Sequence, residues 1–253
     1  MRAQDYADLY ALEESLWWFV GMREVTRALL DPFCPPGPRR DVLDAGCGTG
    51  GMLTWLERYA GGGRVAGVDI STDALDFCRS RGLGDVAQAS VTALPFADET
   101  FDLVTSFDVL VQLPGEGSDE EAMREMFRVL RPGGVAFARV AAYEWMRSGH
   151  DKALDTQRRY TRTQLVERMT RAGLRVRRAT YANSLLLPAA VLRRLVLKRL
   201  GLADRGSDVR PPGSDLLNQA LASALKAEAK LLRNPKANLP AGLSVICVAE
   251  RPR

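Results

Sequence analysis

The chain has 253 residues, 46% of them hydrophobic and 26% charged, a composition typical of a globular protein and long enough to bury a core without staples. Its formal charge of +4 is mild and spread over many arginines, which argues for a solvated surface and against a nucleic-acid partner. Cys34, Cys47, Cys78 and Cys247 show neither CxxC nor CxH spacing, so they read as free thiols in a reducing compartment, with no zinc site. The opening "MRAQDYADLY" lacks the pattern of an export signal, and no uncharged run approaches the roughly 20 residues of a spanning helix, so the expected location is cytoplasmic.

Taken in chain order, residues 6–30 predict one helix, with Leu9, Leu12, Leu16, Phe19 and Val20 at three- and four-residue spacing. The proline-rich "DPFCPPGPRR" (31–40) ends it. A regular alternation follows. "RDVLDAG" predicts a strand, "GMLTWLERYA" a helix, "RVAGVDI" a strand, and "STDALDFCRSRG" a helix capped by Ser71 or Thr72. "DVAQAS" is a weaker strand and "FDLVTSFDVL" the fourth. "DEEAMREMFRVL" is a helix closed by "RPGG", and "VAFARVAA" is the fifth strand. Such alternation means βαβ units and a parallel sheet covered on both faces. Beyond Tyr143 come a helix ("TRTQLVERMTRAG"), a strand ("LRVRRATYA"), a helical stretch over 185–202, a loop over 206–213, a helix over 215–232 and a last apolar strand, "GLSVICVAE".

The glycines of "DVLDAGCGTGG" follow a strand and open a helix. Glycine lets backbone turn tightly and lie against a ligand, and in open parallel sheets ligands bind at the carboxyl ends of the strands. The stretch therefore predicts a flat, adenosine-type ligand over Gly46–Gly50. Asp69, at the end of the second strand, is placed to accept hydrogen bonds from two ribose hydroxyls; the plainer alternative is that it caps the next helix. Gly46, Gly48 and Gly51 also satisfy G-x-G-x-x-G, the weak nicotinamide-dinucleotide signal. Asp44 tilts against that reading, because a carboxylate there suits a cationic ammonium and would repel a pyrophosphate.

The set "VLDAGCGTG", "GVDIS", "ALPFADETFDLV" and "RVLRPGG", over roughly residues 40–140, resembles the class I S-adenosylmethionine-dependent methyltransferases, and more loosely the bacterial ones of small-molecule and secondary metabolism. The resemblance implies an α/β fold: a seven-stranded, mostly parallel Rossmann-like sheet with its last strand antiparallel, an N-terminal helical lid and a helical insertion before the last strand. The expected division is a helical cap over 1–38, a cofactor-binding core over 39–182, an insertion over 183–239 and the final strand over 240–253. It implies S-adenosyl-L-methionine as cofactor and S-adenosyl-L-homocysteine as product. By position, Asp44 and the Gly46, Cys47, Gly48 and Gly50 loop would hold the methionine part, with Cys47 there as a tolerated small residue. Asp69, with Ile70 beside it, would bind the ribose, and Ser90 and Val91 would meet the adenine. Many relatives have aspartate where Ser90 stands, so the adenine contact here would rest on backbone or hydroxyl. Phe107 would line the cleft, and Arg23 would meet the cofactor carboxylate.

On the acceptor side, His150 is the sole histidine and the candidate base for a hydroxyl acceptor, with Asp151 or Asp155 to raise its basicity. Trp18, Tyr143, Trp145, Arg159, Tyr160, Tyr181 and Asn183 are the candidate acceptor contacts, with Arg158 beside them; packing at element edges is the plainer reading of each. Asp108 shows no evident partner in the sequence, so no metal is expected. The expected activity is methyl transfer to oxygen or nitrogen of a small hydrophobic acceptor (a natural product, lipid-linked or sugar-containing). The alternative is a protein that binds the same cofactor and acts as a non-methylating cyclase or ligand-binding protein. "FDVLVQL" lacks the Asn/Asp-Pro-Pro-aromatic motif of extruded-base methylation. The basic apolar stretch 185–202 is either a lid packed on the core or a peripheral lipid contact. The chain is expected to be a monomer or a homodimer.

Overall fold

The computed structural model describes residues 3–149, 151, 154–199 and 213–253. His150 and residues 206–212 of the loop expected at 206–213 lie outside them. In chain order the elements are α1 (Ala3–Leu12), α2 (Trp17–Leu30), β1 (Val42–Ala45), α3 (Gly51–Ala60), β2 (Val65–Asp69), α4 (Thr72–Ser80), β3 (Val86–Gln88), β4 (Phe101–Phe107), α5 (Ser118–Val129) and β5 (Leu130–Ala141). There follow α6 (Arg162–Arg171), β6 (Arg175–Ala182), α7 (Leu187–Arg199), α8 (Asp215–Leu232) and β7 (Ser244–Glu250).

The strands form one seven-stranded sheet in the order β3-β2-β1-β4-β5-β7-β6. All neighbours run parallel except β7, which is antiparallel to both β5 and β6. The expected sheet is therefore the observed one. Every residue of β1 is buried, as expected of a parallel strand covered on both faces. One face is sealed by Met123, Met126, Leu165 and Met169 of α5 and α6, the other by Met22, Leu29, Leu56, Leu225 and Leu232 of α2, α3 and α8. Chain order reverses between β1 and β4, so the loops leaving their carboxyl ends diverge and open a crevice.

Two expectations are corrected. The single helix over 6–30 is two helices, because the chain turns at residues 13–16. The side chain of Asn218 on α8 supports the break: its Oδ1 accepts from Trp17 N at 2.8 Å and its Nδ2 donates to Ser15 O at 3.0 Å. A cap supplied from 201 residues away has no local signature. The "RPGG" segment does more than close α5. The helix ends at Val129, and Leu130–Gly134 already belong to β5. Helix α2 packs tightly on α8, where a Cβ on Gly21 would lie 2.5 Å from Leu225.

Candidate active site

At the carboxyl end of β1 the backbone enters the left-handed region three times, at Gly46 (φ +90°), Gly48 (φ +54°) and Gly50 (φ +89°). Residues with a Cβ are strained there. At Gly46 space is also lacking, since a Cβ would sit 2.2 Å from Val109 Cγ2 on the loop after β4. Both Gly46 N and Cys47 N donate to Val68 O at 2.8 Å, which ties the loop to β2. Cys47 is buried. Cys78 donates its thiol to Gly48 O at 3.2 Å, and the close contact of the two thiols, with burial, holds the Cys47 thiol protonated.

Asp44 is 1% exposed, and its Oδ1 accepts from Thr105 Oγ1 at 2.8 Å. Burial pushes its pKa up to about 7, against the pull of the Thr105 hydrogen bond and the Arg139 charge. A buried carboxyl group thus stands beside the glycine loop. Asp69 accepts from Gly48 N at 2.9 Å and from Ser71 N at 3.0 Å. The cap of α4 is instead the Ser71 hydroxyl, which accepts from Ala74 N. Burial raises the Asp69 pKa, and the backbone N–H donors oppose it. Next to it, Ile70 is 71% exposed, an apolar side chain at the mouth of the crevice. Ser90 Oγ lies 2.7 Å from Thr92 Oγ1, and Val91 is buried in the core.

The N-terminal segment closes over this loop through a residue the sequence did not single out. Glu13, at the break between α1 and α2, accepts from Thr49 Oγ1 at 2.7 Å and from Gly51 N at 3.2 Å, and pairs with Arg81 at 2.6 Å. Leu9 of α1 lies 3.7 Å from where a Cβ on Gly48 would be. Tyr10 packs at a tilt against Phe77 of α4, and the Tyr6 hydroxyl meets the Ser71 side chain beside Asp69. Arg23 is engaged here too: it pairs with Glu14 at 2.9 Å and donates to Gly51 O at 3.2 Å.

The opposite wall is built on the ends of β4, β5 and β6. Five non-glycine residues among those described have positive φ, and three of them, Asp108 (+60°), Tyr143 (+58°) and Asn183 (+59°), stand just past these strands. Such strain gathers where backbone is held for a purpose. Asp108 does have a partner, contrary to the sequence expectation. Its Oδ2 accepts from Arg139 Nε at 2.8 Å, and Arg139 in turn lies over the rings of Trp18 (4.6 Å) and Phe107 (5.0 Å). A charged residue inside the apolar run "VAFARVAA" was the signal that this strand carried more than core.

The candidate acceptor contacts separate into two groups. Tyr143 stacks between Trp145 (5.5 Å) and Tyr181 (5.1 Å), with Trp145 66% exposed. Asn183 is buried, its N–H donating to Glu228 at 2.6 Å while its Oδ1 has no partner among the described residues. Arg159 and Tyr160 are committed elsewhere. Arg159 pairs with Asp151 at 2.7 Å and donates to Ala142 O, and the fully buried Tyr160 donates its hydroxyl to Asp119 at 2.5 Å. Arg158 and Arg168 also pair with Asp119, making a hub that binds α5 to α6.

Residues 43–138 match the methyltransferase domain family. Over 100 residues the chain is 39% identical to methyltransferase GfsG of Streptomyces halstedii, 37% of this chain and 34% of that protein. Over 122 residues it is 34% identical to the fatty-acid O-methyltransferase of Mycolicibacterium smegmatis, 45% of this chain and 43% of that protein. The matched stretch thus spans less than half the length of these curated relatives. Among solved structures, a chain of the complex between the Haloferax volcanii Trm112 methyltransferase activator and a methyltransferase aligns with a TM-score of 0.61 at 21% identity, over 99% of this chain and 96% of that one. The [4+2]-cyclase SpnF aligns at 0.56 and 21% identity, over 90% of this chain and 81% of that one. At such identities the likeness is one of fold. Among the described residues no helix is long and apolar enough to cross a membrane. Residues 43–138 thus match a methyltransferase domain, and the sheet order and glycine-loop crevice around them have the fold of the class I S-adenosylmethionine-dependent methyltransferases.

Proposed function

We propose that this protein transfers the methyl group of S-adenosylmethionine to an oxygen or nitrogen of a small, hydrophobic organic acceptor. The observation that carries the cofactor assignment is the pair of carboxylates flanking the left-handed glycine loop. Asp44 is buried with its pKa raised to about 7, which suits a cationic amino acid, and Asp69 stands at the edge of β2 where a sugar diol would lie. Exposed Ile70 offers an apolar surface for a flat base. Arg23, beside the Gly51 carbonyl, is within the same wall and is the group we assign to the cofactor carboxylate. The cofactor supplies an activated methyl on a sulfonium. The protein then has to align the acceptor and exclude water, not generate reactivity.

For a hydroxyl acceptor we assign His150 as base, and the aromatic stack Trp145–Tyr143–Tyr181, with Trp18 and Asn183, as the surface that receives the acceptor's body. A planar or chain-like organic molecule fits such a surface. Calorimetric titration with S-adenosylmethionine and S-adenosylhomocysteine tests the cofactor reading, and binding of both is expected. Release of S-adenosylhomocysteine with a panel of organic acceptors tests the reaction. A chain that binds the cofactor and never releases the product with any of them is a binding protein or a cyclase, and the activity proposed here is wrong. His150→Ala with full turnover on a hydroxyl acceptor removes His150 as base.

A further inference from the structure

Arg139 is out of place by composition. It lies in β5, paired in register with Phe107 of β4 and Ile246 of β7, in the middle of the sheet, and is only 5% exposed. A guanidinium in such a position is tolerated only with a partner and with faces to lie on. It has both. Trp18 and Phe107 present their rings to it, and Asp108 takes its charge. The same guanidinium lies near enough to Asp44 to lower that carboxylate's pKa. One cation therefore stands between the carboxylate of the cofactor side and the carboxylate that follows β4.

Asp108 is held for presentation, not for burial. Its backbone is left-handed, its N–H donates to Arg139 O at 2.8 Å, and its side chain is 28% exposed. Both guanidinium contacts, at 2.8 Å and 2.7 Å, fall on Oδ2. Among the described residues Oδ1 takes no hydrogen bond. The next residue, Val109, lies against Gly46, and Arg139 acts on both Asp44 and Asp108, so Asp108 stands beside the glycine loop. From this geometry we propose that Asp108, positioned by Arg139, is the group that meets the acceptor at its methylated centre, and that the acceptor presents there a protic group, hydroxyl or amine, and not a carboxylate. Oδ1 accepts a hydrogen bond from the O–H or N–H and turns a lone pair toward the donor methyl. A carboxylate acceptor has no O–H or N–H to donate to Oδ1. Asp108 orients the acceptor; the base role assigned to His150 is separate from it.

This inference rests on the methyl-transfer reading, and the test keeps the two apart. The full chain is titrated with S-adenosylhomocysteine, then, in its presence, with 4-alkylphenol, 4-alkylaniline and 4-alkylbenzoate of matched chain length, for the wild type, Asp108→Asn, Arg139→Lys and Arg139→Met. Asparagine tolerates the left-handed backbone and keeps the size of the side chain, so Asp108→Asn is expected to fold, with a thermal midpoint lowered by the loss of the carboxylate that pairs with Arg139. The wild type binds the phenol or the aniline at least about 10-fold tighter than the benzoate, the range a charge-assisted hydrogen bond commands. In Asp108→Asn that preference shrinks or reverses, because Arg139 is left with an unpaired charge, while the dissociation constant for S-adenosylhomocysteine stays within about 2-fold. Arg139→Lys restores part of the preference that Arg139→Met loses, and S-adenosylhomocysteine release by these variants falls in kcat more than it rises in KM. Equal binding of phenol, aniline and benzoate by the wild type, no binding of either protic probe, or an unchanged preference in Asp108→Asn overturns the inference. Failure of S-adenosylhomocysteine itself to bind overturns the methyl-transfer reading instead.

Discussion

Replacing Asp44 with asparagine isolates the energetic consequence of putting a carboxyl group under the glycine loop. The side chain is 1% exposed, and Thr105 Oγ1 still has an oxygen to donate to in the variant. In the wild type, folding raises the group from its ordinary value of 3.8 to about 7, mainly by desolvation. A carboxyl whose folded pKa is raised prefers its proton in the native state. Below pH 4 both states are protonated and Asp44 is neutral in the balance. As pH climbs from 4 to 7 the unfolded chain ionises and the native state does not, so stability is progressively lost, and the loss is complete above pH 7. The distance from 3.8 to about 7 corresponds to about 4 kcal/mol at the upper limit. Asparagine carries no such dependence. The difference in unfolding free energy between Asp44→Asn and wild type is therefore expected to be small at pH 4 and to grow in favour of the variant by a few kcal/mol at pH 8. Urea unfolding of both proteins at one-unit steps of pH measures it. Parallel curves, with a gap that does not change with pH, would refute the account of Asp44 as a carboxyl group that burial keeps protonated in the fold. The same residue should lose the cofactor's ammonium: Asp44→Asn is expected to be the more stable protein and the weaker binder, and wild-type affinity for S-adenosylmethionine is expected to rise with pH up to 7 and then level off.

Three further outcomes follow from the same geometry. Glu13→Ala removes the acceptor for Thr49 and Gly51 N and one of the two carboxylates that pair with Arg81, so a loss of about 1–3 kcal/mol is expected, together with faster amide exchange across α1 than across α2. Gly46→Ala puts a Cβ 2.2 Å from Val109 Cγ2 at φ +90°, and a cost of about 2–4 kcal/mol is expected by thermal unfolding, part of it recovered when Val109 is also changed to alanine. Tyr160→Phe breaks the bond to Asp119 and leaves that buried carboxylate one donor short, so a loss of about 1–3 kcal/mol is expected with little change in acceptor binding, since Tyr160 is a core residue in the fold.

Much of this molecule was written in local sequence. Helix α3 and helix α8 fall where periodicity put them, at 51–60 and 215–232, because their apolar spacing and their start signals are all within a dozen residues. The Thr161 cap on α6, the left-handed glycines after β1 and the alternation that dictates a parallel sheet belong to the same class. The positions of Asp44, two residues before the glycine turn, and of Asp69, closing β2, are relations fixed by the chain itself. What only the tertiary structure decided concerns groups brought together by sheet order and by helices distant in sequence. The break after Leu12 depends on Asn218, and Glu13 acquires its meaning only when α1 folds over Thr49 and Gly51. Tyr160 and Arg159 looked like rim residues and are instead spent on Asp119 and Asp151, whose positions no spacing reveals. Asp108 has no charge partner in its own segment, and β5 puts Arg139 beside it because β4 and β5 are neighbours in register. Local rules act through bonds a few residues long, and charge pairing acts through space, so a single sequence displays the first and conceals the second.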